Sequence, residues 1–299
     1  MDARKTVLIL GGGAMSGVFG AGFVTALQDA DAYSCIEAVY GVSAGGFNGA
    51  YFLSRQSRLG SSIYYEDLAK DFIKVRHLPY GILQRLWHRF VRPISLEKMK
   101  NVVNIDRLMQ AARSGKRLDT QKIKQQGIPL YIRLLNAESG EVIDVDARAG
   151  NIFALLQATV SAAPYFFARE RIGGKLFIDP GIKEPIGLQS IIQRHPDSKI
   201  IIQLNRRYAS SPLVRPIFAM EKAILSVMHG RHIGKAYARH KKRRQEDKQL
   251  ATALEQVMLI EPDEQDEIPP YSTDPKVLAK SYAAGMRSGL KALAFMREP

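Results

Sequence analysis

The sequence predicts an α/β fold in which helices cover a mainly parallel sheet. A short apolar run at residues 6–10 is ended by glycines, and a helical pattern follows over about residues 16–30. A second short strand, about residues 38–40, leads through a turn at 41–45 into another helix that ends near Gln56. A strand, a turn and a helix that occur twice in succession imply parallel strands with helices packed on the sheet.

Strand patterns return after a long stretch, residues 62–125, that is predicted to be mostly helical. Four further strands are expected, at residues 130–136, 142–146, 176–179 and 199–204. Beyond Pro212 the chain turns helical and basic. A final helix is predicted to begin with Asp274 as its N-cap and Pro275 in its first turn.

The composition is that of a folded protein. Of the 299 residues, 46% are hydrophobic and 24% charged, which argues against disorder, collagen and coiled coil. The 43 Lys and Arg residues against 29 Asp and Glu residues give a net charge of +14, which favours anionic partners. The single cysteine, Cys35, excludes an intrachain disulfide and a CxxC metal knuckle. Because the histidines lack metal-ligand spacing, we expect no metal and no cofactor.

The long uncharged stretch at residues 6–27 bears on location. It contains six glycines, and no small-residue cleavage site follows it, so a strand, turn and helix explain it better than a signal peptide or a membrane span. The sequence therefore predicts a cytoplasmic protein.

The pentapeptide GVSAG, residues 41–45, is the strongest chemical signal. A serine between two glycines, where a strand turns into a helix, has its hydroxyl exposed on a tight bend. The N-terminus of the following helix stabilises negative charge that develops there. Ser43 is therefore a candidate nucleophile, and an ordinary turn of small residues is the alternative.

A glycine-rich loop, Leu10-Gly11-Gly12-Gly13-Ala14-Met15-Ser16-Gly17, follows the first strand. Bare backbone N–H groups in such a loop bind anions, so it is an oxyanion hole beside Ser43, a dinucleotide site or a turn without a ligand. The dinucleotide fingerprint requires a glycine where Ser16 stands and an acidic residue at the end of the second strand. Neither is present, which favours the oxyanion hole.

Asp179 ends a predicted strand, in the segment FIDPG. The carboxyl ends of parallel strands are where the functional groups of α/β sheets collect. A turn-initiating aspartate before Pro-Gly is the alternative.

Three motifs in this order resemble those of patatin-like phospholipases. The run LILGGGAMSGVFGAGFVTAL resembles the family's glycine-rich segment, usually G-G-G-x-R-G, and GVSAG resembles its nucleophile elbow. SAAPYFF at 161–167 and KLFIDPG at 175–181 are similar to its Ser-Ala-x-x-Pro stretch and its Asp-Gly-Gly/Ala segment. The resemblance implies a three-layer α/β/α hydrolase domain over about residues 5–207, followed by a helical extension over residues 215–299.

The resemblance also implies a Ser–Asp dyad without a catalytic histidine. Carried over by motif, Ser43 is the nucleophile, Asp179 the general base, and the amides of Gly12, Gly13 and Ala14 form the oxyanion hole. Such a dyad is chemically reasonable because partial desolvation raises the pKa of a carboxylate enough for it to accept the serine proton.

The chain departs from the family pattern at three positions. Ser16 stands where the family usually has arginine, which weakens the prediction of a phosphate headgroup and leaves a neutral acyl ester open as the substrate. Ala14 replaces a glycine, and Pro180 replaces the glycine after Asp179. A Ser43–Asp179–His195 triad is the mechanistic alternative, but only about two strands precede Ser43, and the polar flanks of His195 predict a surface histidine.

Two basic segments are candidates for a lipid surface. Residues 81–92, GILQRLWHRFVR, form an amphipathic pattern that fits either a core-facing helix or a helix at a lipid interface. The run at 239–244 fits a solvated helix face, a patch for anionic membranes, or pairing with the acidic residues 261–267. No nucleic-acid-binding signature accompanies it, so we expect no nucleic acid as a partner. The sequence predicts no protein partner.

Together these features predict a lipid acyl hydrolase, either of the phospholipase A type or a related carboxylic ester hydrolase, peripheral at the inner face of the membrane. It is expected to cleave a carboxylic ester through an acyl-Ser43 intermediate. The alternative is a nucleotide-binding protein that uses the glycine-rich loop and has no hydrolase activity.

Overall fold

A computed structural model of the chain describes residues 4–72, 101–163, 165–166, 171–207 and 215–298. The amphipathic segment 81–92, together with residues 164 and 167 of the SAAPYFF motif, lies outside the described residues. The strands are β1 (Thr6–Leu10), β2 (Ile36–Gly41), β3 (Leu130–Asn136), β4 (Val142–Asp146), β5 (Arg171–Ile172), β6 (Lys175–Ile178), β7 (Lys199–Gln203) and β8 (Val257–Ile260). They form one sheet in the order β5-β6-β3-β2-β1-β7-β8, with β4 paired to β3.

The centre of the sheet is parallel, as predicted. Strands β3, β2, β1, β7 and β8 run in the same direction, and β4 and β6 pair antiparallel with β3. Strand β1 lies between β2 and β7, and all five of its residues are buried. Its last residue, Leu10, is level with Gly41 and Gln203, so three strands end together at one edge.

Helices cover both faces of the sheet, which makes the architecture α/β/α. They are α1 (Val18–Asp29), α2 (Ala44–Leu53), α3 (Ser57–Ser62), α4 (Ile105–Gln110), α5 (Thr120–Gln125), α6 (Ile152–Thr159), α7 (Leu188–Arg194), α8 (Arg215–His229), α9 (Arg231–Ala253) and α10 (Pro275–Arg297). Leu8 and Leu10 of β1 share a core with residues of α1, α2 and α10. On the other face, Val7 and Ile9 pack with residues of α7 and α9. The alternation of side chains along a strand therefore divides β1 between two cores.

Helices α1 and α10 are in contact backbone to backbone. A Cβ atom placed on Gly22 of α1 would overlap the carbonyl oxygen of Tyr282, and one placed on Gly285 of α10 would overlap that of Phe19. Glycine is needed on both helices because a larger side chain would force them apart.

The C-terminal part of the chain contributes a strand as well as helices, which the sequence analysis did not predict. Strand β8 pairs in parallel with β7, with Val257 level with Ile200. Its four apolar residues are too few to stand out beside the long helices α9 and α10. As predicted, Asp274 caps α10 by accepting a hydrogen bond from the Lys276 amide. The division into regions 5–207 and 215–299 stays a prediction.

The acidic stretch after β8 pairs with neighbouring basic side chains, one of the alternatives that the sequence left open. Glu261 contacts Arg244 at 3.4 Å and Lys248 at 2.6 Å, both on α9. Asp266 contacts Arg287 of α10 at 2.9 Å. These pairs connect the segment to the helices on both faces of the sheet.

Candidate active site

Ser43 lies on a sharp turn between β2 and α2. Its backbone angles, φ 54° and ψ −122°, are ones that residues other than glycine rarely adopt. A residue in such a conformation is held there by its surroundings and is common at functional sites. Ser43 is also the N-cap of α2, so the positive end of the helix dipole lies beside its hydroxyl.

The two glycines of GVSAG allow this turn to form. A Cβ atom on Gly41 would lie 2.5 Å from the Cα atom of Gly46, and one on Gly45 would overlap the carbonyl oxygen of Leu10. The helix α2 therefore begins directly against the ends of β1 and β2, and only glycine fits at these two positions.

Thr159, the last residue of α6, holds the backbone of Ser43 in place through a hydrogen bond. The Ser43 amide donates to the Thr159 hydroxyl oxygen at 2.9 Å, and that hydroxyl donates to the Arg133 carbonyl oxygen at 2.9 Å. Because Arg133 lies in β3, this chain of hydrogen bonds fixes Ser43 to the central sheet.

Asp179 follows the predicted strand, but that strand runs in the opposite direction from the one expected. The sequence predicts a parallel strand before Asp179, and this was wrong, because β6 pairs antiparallel with β3. Leu135 of β3 pairs with Val142 on one edge and with Ile178 on the other, which is the edge where β2 pairs with Ile132. Strand β6 thus points at the end of β2, and the residues that follow the two strands meet.

The Ser43 hydroxyl lies near enough to the Asp179 carboxylate to lower the pKa of that group. Asp179 is 7% exposed, and its Oδ1 atom accepts a hydrogen bond from the Gly181 amide at 2.8 Å. Burial raises the pKa of Asp179 to about 6, against the lowering effect of Ser43 and of the Gly181 amide. The carboxylate is therefore ionised at neutral pH and more basic than an exposed aspartate.

The glycine-rich loop lies against Ser43. A Cβ atom on Gly12 would be 3.0 Å from the Cβ atom of Ser43, and Ala14 has a positive φ of 50°. Among the hydrogen bonds of the described residues, none uses the amides of Gly12, Gly13 or Ala14 as donors. All three residues are half-buried, and Ala14 lines the cavity that contains Ser43.

An apolar cavity opens at Ser43 and Ala14. Its empty volume, including the mouth, is about 620 Å³, and most of its lining is apolar, including Phe47, Leu68 and Leu108. The polar side chains in the wall are largely paired with protein groups, as where the Tyr64 hydroxyl donates to Asn48 at 3.1 Å. The cavity suits a hydrocarbon chain.

Sequence comparison decides the family. The profile described as "Patatin-like phospholipase" matches residues 8–192. The chain belongs to this family. Its membership supports lipid hydrolase activity in general, and it is consistent with the mostly parallel sheet and its helical layers.

The chain also resembles a solved structure at low sequence identity. The chain is similar to the crystal structure of VipD from Legionella pneumophila, with 12% sequence identity and a TM-score of 0.46, over 98% of this chain and 67% of that one. No curated protein is significantly similar to the sequence.

The position of the usual family arginine is filled by a buried serine. The Ser16 hydroxyl donates to the Gly13 carbonyl oxygen at 2.7 Å, so it contacts the loop itself. Ser16 is fully buried and leaves no cation at this point of the patatin-like site.

His195 lies away from the serine. It precedes β7, at the amino edge of the parallel strands, whereas Ser43 follows the carboxyl end of β2. Its side chain is 10% exposed rather than on the surface as predicted, with Nδ1 at 2.6 Å from Glu37 and Nε2 at 2.9 Å from the Tyr40 hydroxyl. This placement gives no support to the triad.

The described ranges contain no cluster of three or more His, Cys, Asp or Glu residues that fits a metal ion. Within the same ranges, no helix is both long enough and apolar enough to span a bilayer.

Two supporting residues, Thr159 and Asn205, were not predicted from the sequence. The Asn205 side chain donates to the carbonyl oxygens of Gly11 and Gly12 in the glycine-rich loop. Thr159 carries no motif of its own. Asn205 follows β7, the neighbour of β1, at the carboxyl edge where the functional groups of a parallel sheet collect, and that position is a usable signal.

Proposed function

We propose that this patatin-like protein is a serine hydrolase that cleaves carboxylic esters of lipids with a Ser43–Asp179 dyad. The observation that carries the proposal is the Ser43 hydroxyl beside a buried Asp179 carboxylate, at the mouth of an apolar cavity. A nucleophile within hydrogen-bond reach of its base is the signature of covalent catalysis.

In the first half-reaction Ser43 Oγ attacks the ester carbonyl carbon while its proton moves to Asp179. The tetrahedral intermediate carries an oxyanion, which the amides of Gly12, Gly13 and Ala14 stabilise. When the carbon–oxygen bond to the leaving alcohol breaks, Asp179 returns the proton to that alcohol. The product is an acyl-Ser43 ester and a free alcohol.

In the second half-reaction water attacks the acyl carbon and gives its proton to Asp179. Collapse of the intermediate releases the fatty acid and returns the proton to Ser43 Oγ. The raised pKa of Asp179 suits both directions, because the group must accept and give up a proton near neutral pH.

The substrate class follows from the cavity and from Ser16. The apolar lining near Phe47 and Leu108 accepts an acyl chain, and the absence of an arginine at position 16 favours a neutral headgroup. A neutral acylglycerol-type ester is therefore preferred to an anionic phospholipid.

A fluorophosphonate probe tests the proposal, because only an activated serine reacts with it. We expect labelling of the wild type, none of Ser43→Ala, and strongly reduced labelling of Asp179→Asn. An ester panel of varied acyl length is then expected to show turnover that Ser43→Ala abolishes. A folded wild type that neither reacts with the probe nor hydrolyses any ester would overturn the proposal.

We further propose that the protein works at an anionic lipid surface, at the inner face of the membrane. Four basic residues of α9 repeat at helical spacing on one exposed face: Arg231, Lys235, Arg239 and Lys242. Of these, only Lys242 has an ion pair within the described part of the chain, at 3.6 Å with Glu246. Helices α8 and α9 follow one another in the chain and pack together as a helical hairpin. Ile217 of α8, 49% exposed, adds an apolar side chain to this hairpin.

The position of this hairpin relative to the site supports the idea. Leu225 of α8 and Ile233 of α9 share a core cluster with Ile178 and Ile182, which flank Asp179. A bilayer bound to the hairpin is therefore close to Asp179. Electrostatic attraction to an anionic bilayer contributes roughly 1 kcal/mol for each basic residue near its surface.

Vesicle binding tests this second proposal. The double variant Lys235→Glu/Arg239→Glu is expected to lose most binding to vesicles that contain phosphatidylserine, and wild-type binding is expected to fall as salt rises. The control Lys276→Glu/Lys291→Glu makes the same charge change on α10, which packs on the other face of the sheet, and should retain binding. Equal loss in both variants, or equal wild-type binding to neutral vesicles, would contradict the assignment.

A further inference from the structure

The Asn205 carboxamide joins the glycine-rich loop to the end of the central sheet. Its Nδ2 atom donates to the carbonyl oxygens of Gly11 at 2.6 Å and Gly12 at 3.2 Å. Its Oδ1 atom accepts from the Gly20 amide at 2.9 Å. The orientation of the carboxamide is fixed, because the atom that faces two carbonyls must be the nitrogen and the atom that faces an amide must be the oxygen.

These contacts determine where the loop amides point. In a planar trans peptide, the C=O of one residue and the N–H of the next point in opposite directions. With the Gly11 and Gly12 carbonyls turned towards Asn205, the N–H groups of Gly12 and Gly13 are turned away from it. One side chain thus orients two of the three amides assigned to the oxyanion hole.

Ser16 does the same for the third amide. The Gly13 carbonyl oxygen accepts from the Ser16 hydroxyl at 2.7 Å and from the Ser16 amide at 3.1 Å. The N–H of Ala14, which belongs to the same peptide group, therefore points away from Ser16. This contact also gives a use to the residue that stands in place of the family's arginine.

The hydrogen bonds around Asn205 leave one buried polar atom of the neighbouring Gln203 without a partner among the described residues. Gln203 Nε2 donates to Asn205 Oδ1 at 3.0 Å, while Gln203 Oε1 is buried and has no hydrogen-bond partner within the described residues. A buried oxygen without a donor opposes folding, so the arrangement is poorly explained by stability alone.

We propose that Asn205 and Ser16 are positioning residues that aim the backbone amides of the oxyanion hole. The inference rests on the proposed hydrolase function and adds to it the side chains that preorganise the loop. Preorganised donors stabilise an oxyanion because they need no reorientation when the charge develops.

Kinetics with a p-nitrophenyl ester and inhibition by a trifluoromethyl ketone of the same acyl length test this proposal. The ketone forms a tetrahedral oxyanion adduct with the serine, so its Ki reports the hole directly. For Asn205→Ala we expect kcat to fall about 100-fold with KM within about threefold, and for Ser16→Ala about 10-fold, because the Ser16 amide still holds Gly13. Ki should rise by the factor by which kcat falls.

Asn151→Ala is the control, since it removes an asparagine that caps α6 through the Ala154 amide but does not contact the loop. It should lose stability without a change in kcat or Ki. A folded Asn205→Ala protein with kcat or Ki within threefold of wild type would overturn the proposal. If Asn205→Ala does not fold, an unchanged Ki for Ser16→Ala overturns it instead.

Different results would contradict the hydrolase function and the positioning role of Asn205 and Ser16. A wild type that neither hydrolyses esters nor reacts with a fluorophosphonate removes the hydrolase function and this inference together. An active wild type whose Asn205 and Ser16 variants are equally active removes the inference alone.

Discussion

The backbone amide of Ser43 donates to the hydroxyl oxygen of Thr159 at 2.9 Å, across 116 residues of sequence. The same hydroxyl donates to the Arg133 carbonyl oxygen, so it accepts one hydrogen bond and donates another. A residue with unfavourable φ and ψ angles persists only where its neighbours hold it, and Thr159 is such a neighbour.

Thr159→Val is expected to lower kcat about 10-fold and to destabilise the fold by about 1–3 kcal/mol, because it keeps the side-chain shape but leaves the Ser43 amide and the Arg133 carbonyl unpaired. Thr159→Ser keeps the hydroxyl and should retain most of the activity. Ester kinetics and denaturant unfolding measure the two effects. Equal activity in Thr159→Val and Thr159→Ser would show that the hydrogen bond does not hold the serine.

Replacement of Ser43 separates chemistry from backbone strain. Ser43→Ala and Ser43→Gly both remove the nucleophile and should be inactive, but only glycine adopts a positive φ without cost. We expect Ser43→Gly to be about 1 kcal/mol more stable than Ser43→Ala in denaturant unfolding. A less stable Ser43→Gly protein would mean that the turn is relaxed in solution.

The activity should fall at acid pH with the titration of Asp179. Its carboxylate must be ionised to accept the serine proton, and burial raises its pKa to about 6. We therefore expect kcat/KM to be constant above about pH 7 and to fall about tenfold per pH unit below pH 6. A profile whose acid limb lies near pH 4 would show an aspartate that burial does not affect.

Asp179→Asn should be inactive and, at neutral pH, more stable than the wild type. Because the folded-state pKa is raised, the stabilising contribution of this carboxyl group is complete below pH 3.8 and is lost as the pH rises through about 6. The difference in unfolding free energy should therefore grow between these two pH values and reach up to about 3 kcal/mol above pH 7. Thermal unfolding across this range measures it, and a difference that shrinks as pH rises would contradict the sign.

His195→Ala should lose stability but retain activity. The side chain bonds to Glu37 and Tyr40, so its removal leaves partly buried polar groups without a partner, at a cost of about 1–3 kcal/mol. Because the dyad needs no imidazole, kcat should remain within about threefold of wild type. Loss of turnover in a folded His195→Ala protein would favour the triad.

The sequence predicted the parts of the fold that local pattern determines. Strands β1, β3 and β4 begin and end where their apolar and alternating runs do, and Asp274 caps α10 as its sequence context indicates. The direction of β6 was missed because four residues carry no information about which strand they pair with. Strand β8 was missed for a similar reason, being short and at the sheet edge.

Some residues of the candidate site could be predicted from the sequence and others could not. Ser43, Asp179 and the glycine-rich loop belong to motifs with recognisable spacing, whereas Thr159 and Asn205 act through contacts between distant segments. Asn205 meets Gly12 across 193 residues, and single-sequence periodicity does not report such a contact. His195 was predicted to be exposed from its polar neighbours, although its partner Glu37 lies 158 residues away.

The glycine contact between α1 and α10 has a consequence during synthesis. Phe19 and Gly285, which meet in the finished protein, are far apart in the chain, and a ribosome that adds about 5–20 residues per second separates their appearance by tens of seconds. For that time, the face of α1 that α10 will cover is open to water or to chaperones. The glycine-rich loop enters α1 directly, and its Met15 amide bonds to Pro270, so an unfinished chain lacks part of the support of its catalytic edge. A growing chain that has not yet reached residue 285 therefore lacks the helix that covers α1 and, before residue 270, the contact that holds Met15.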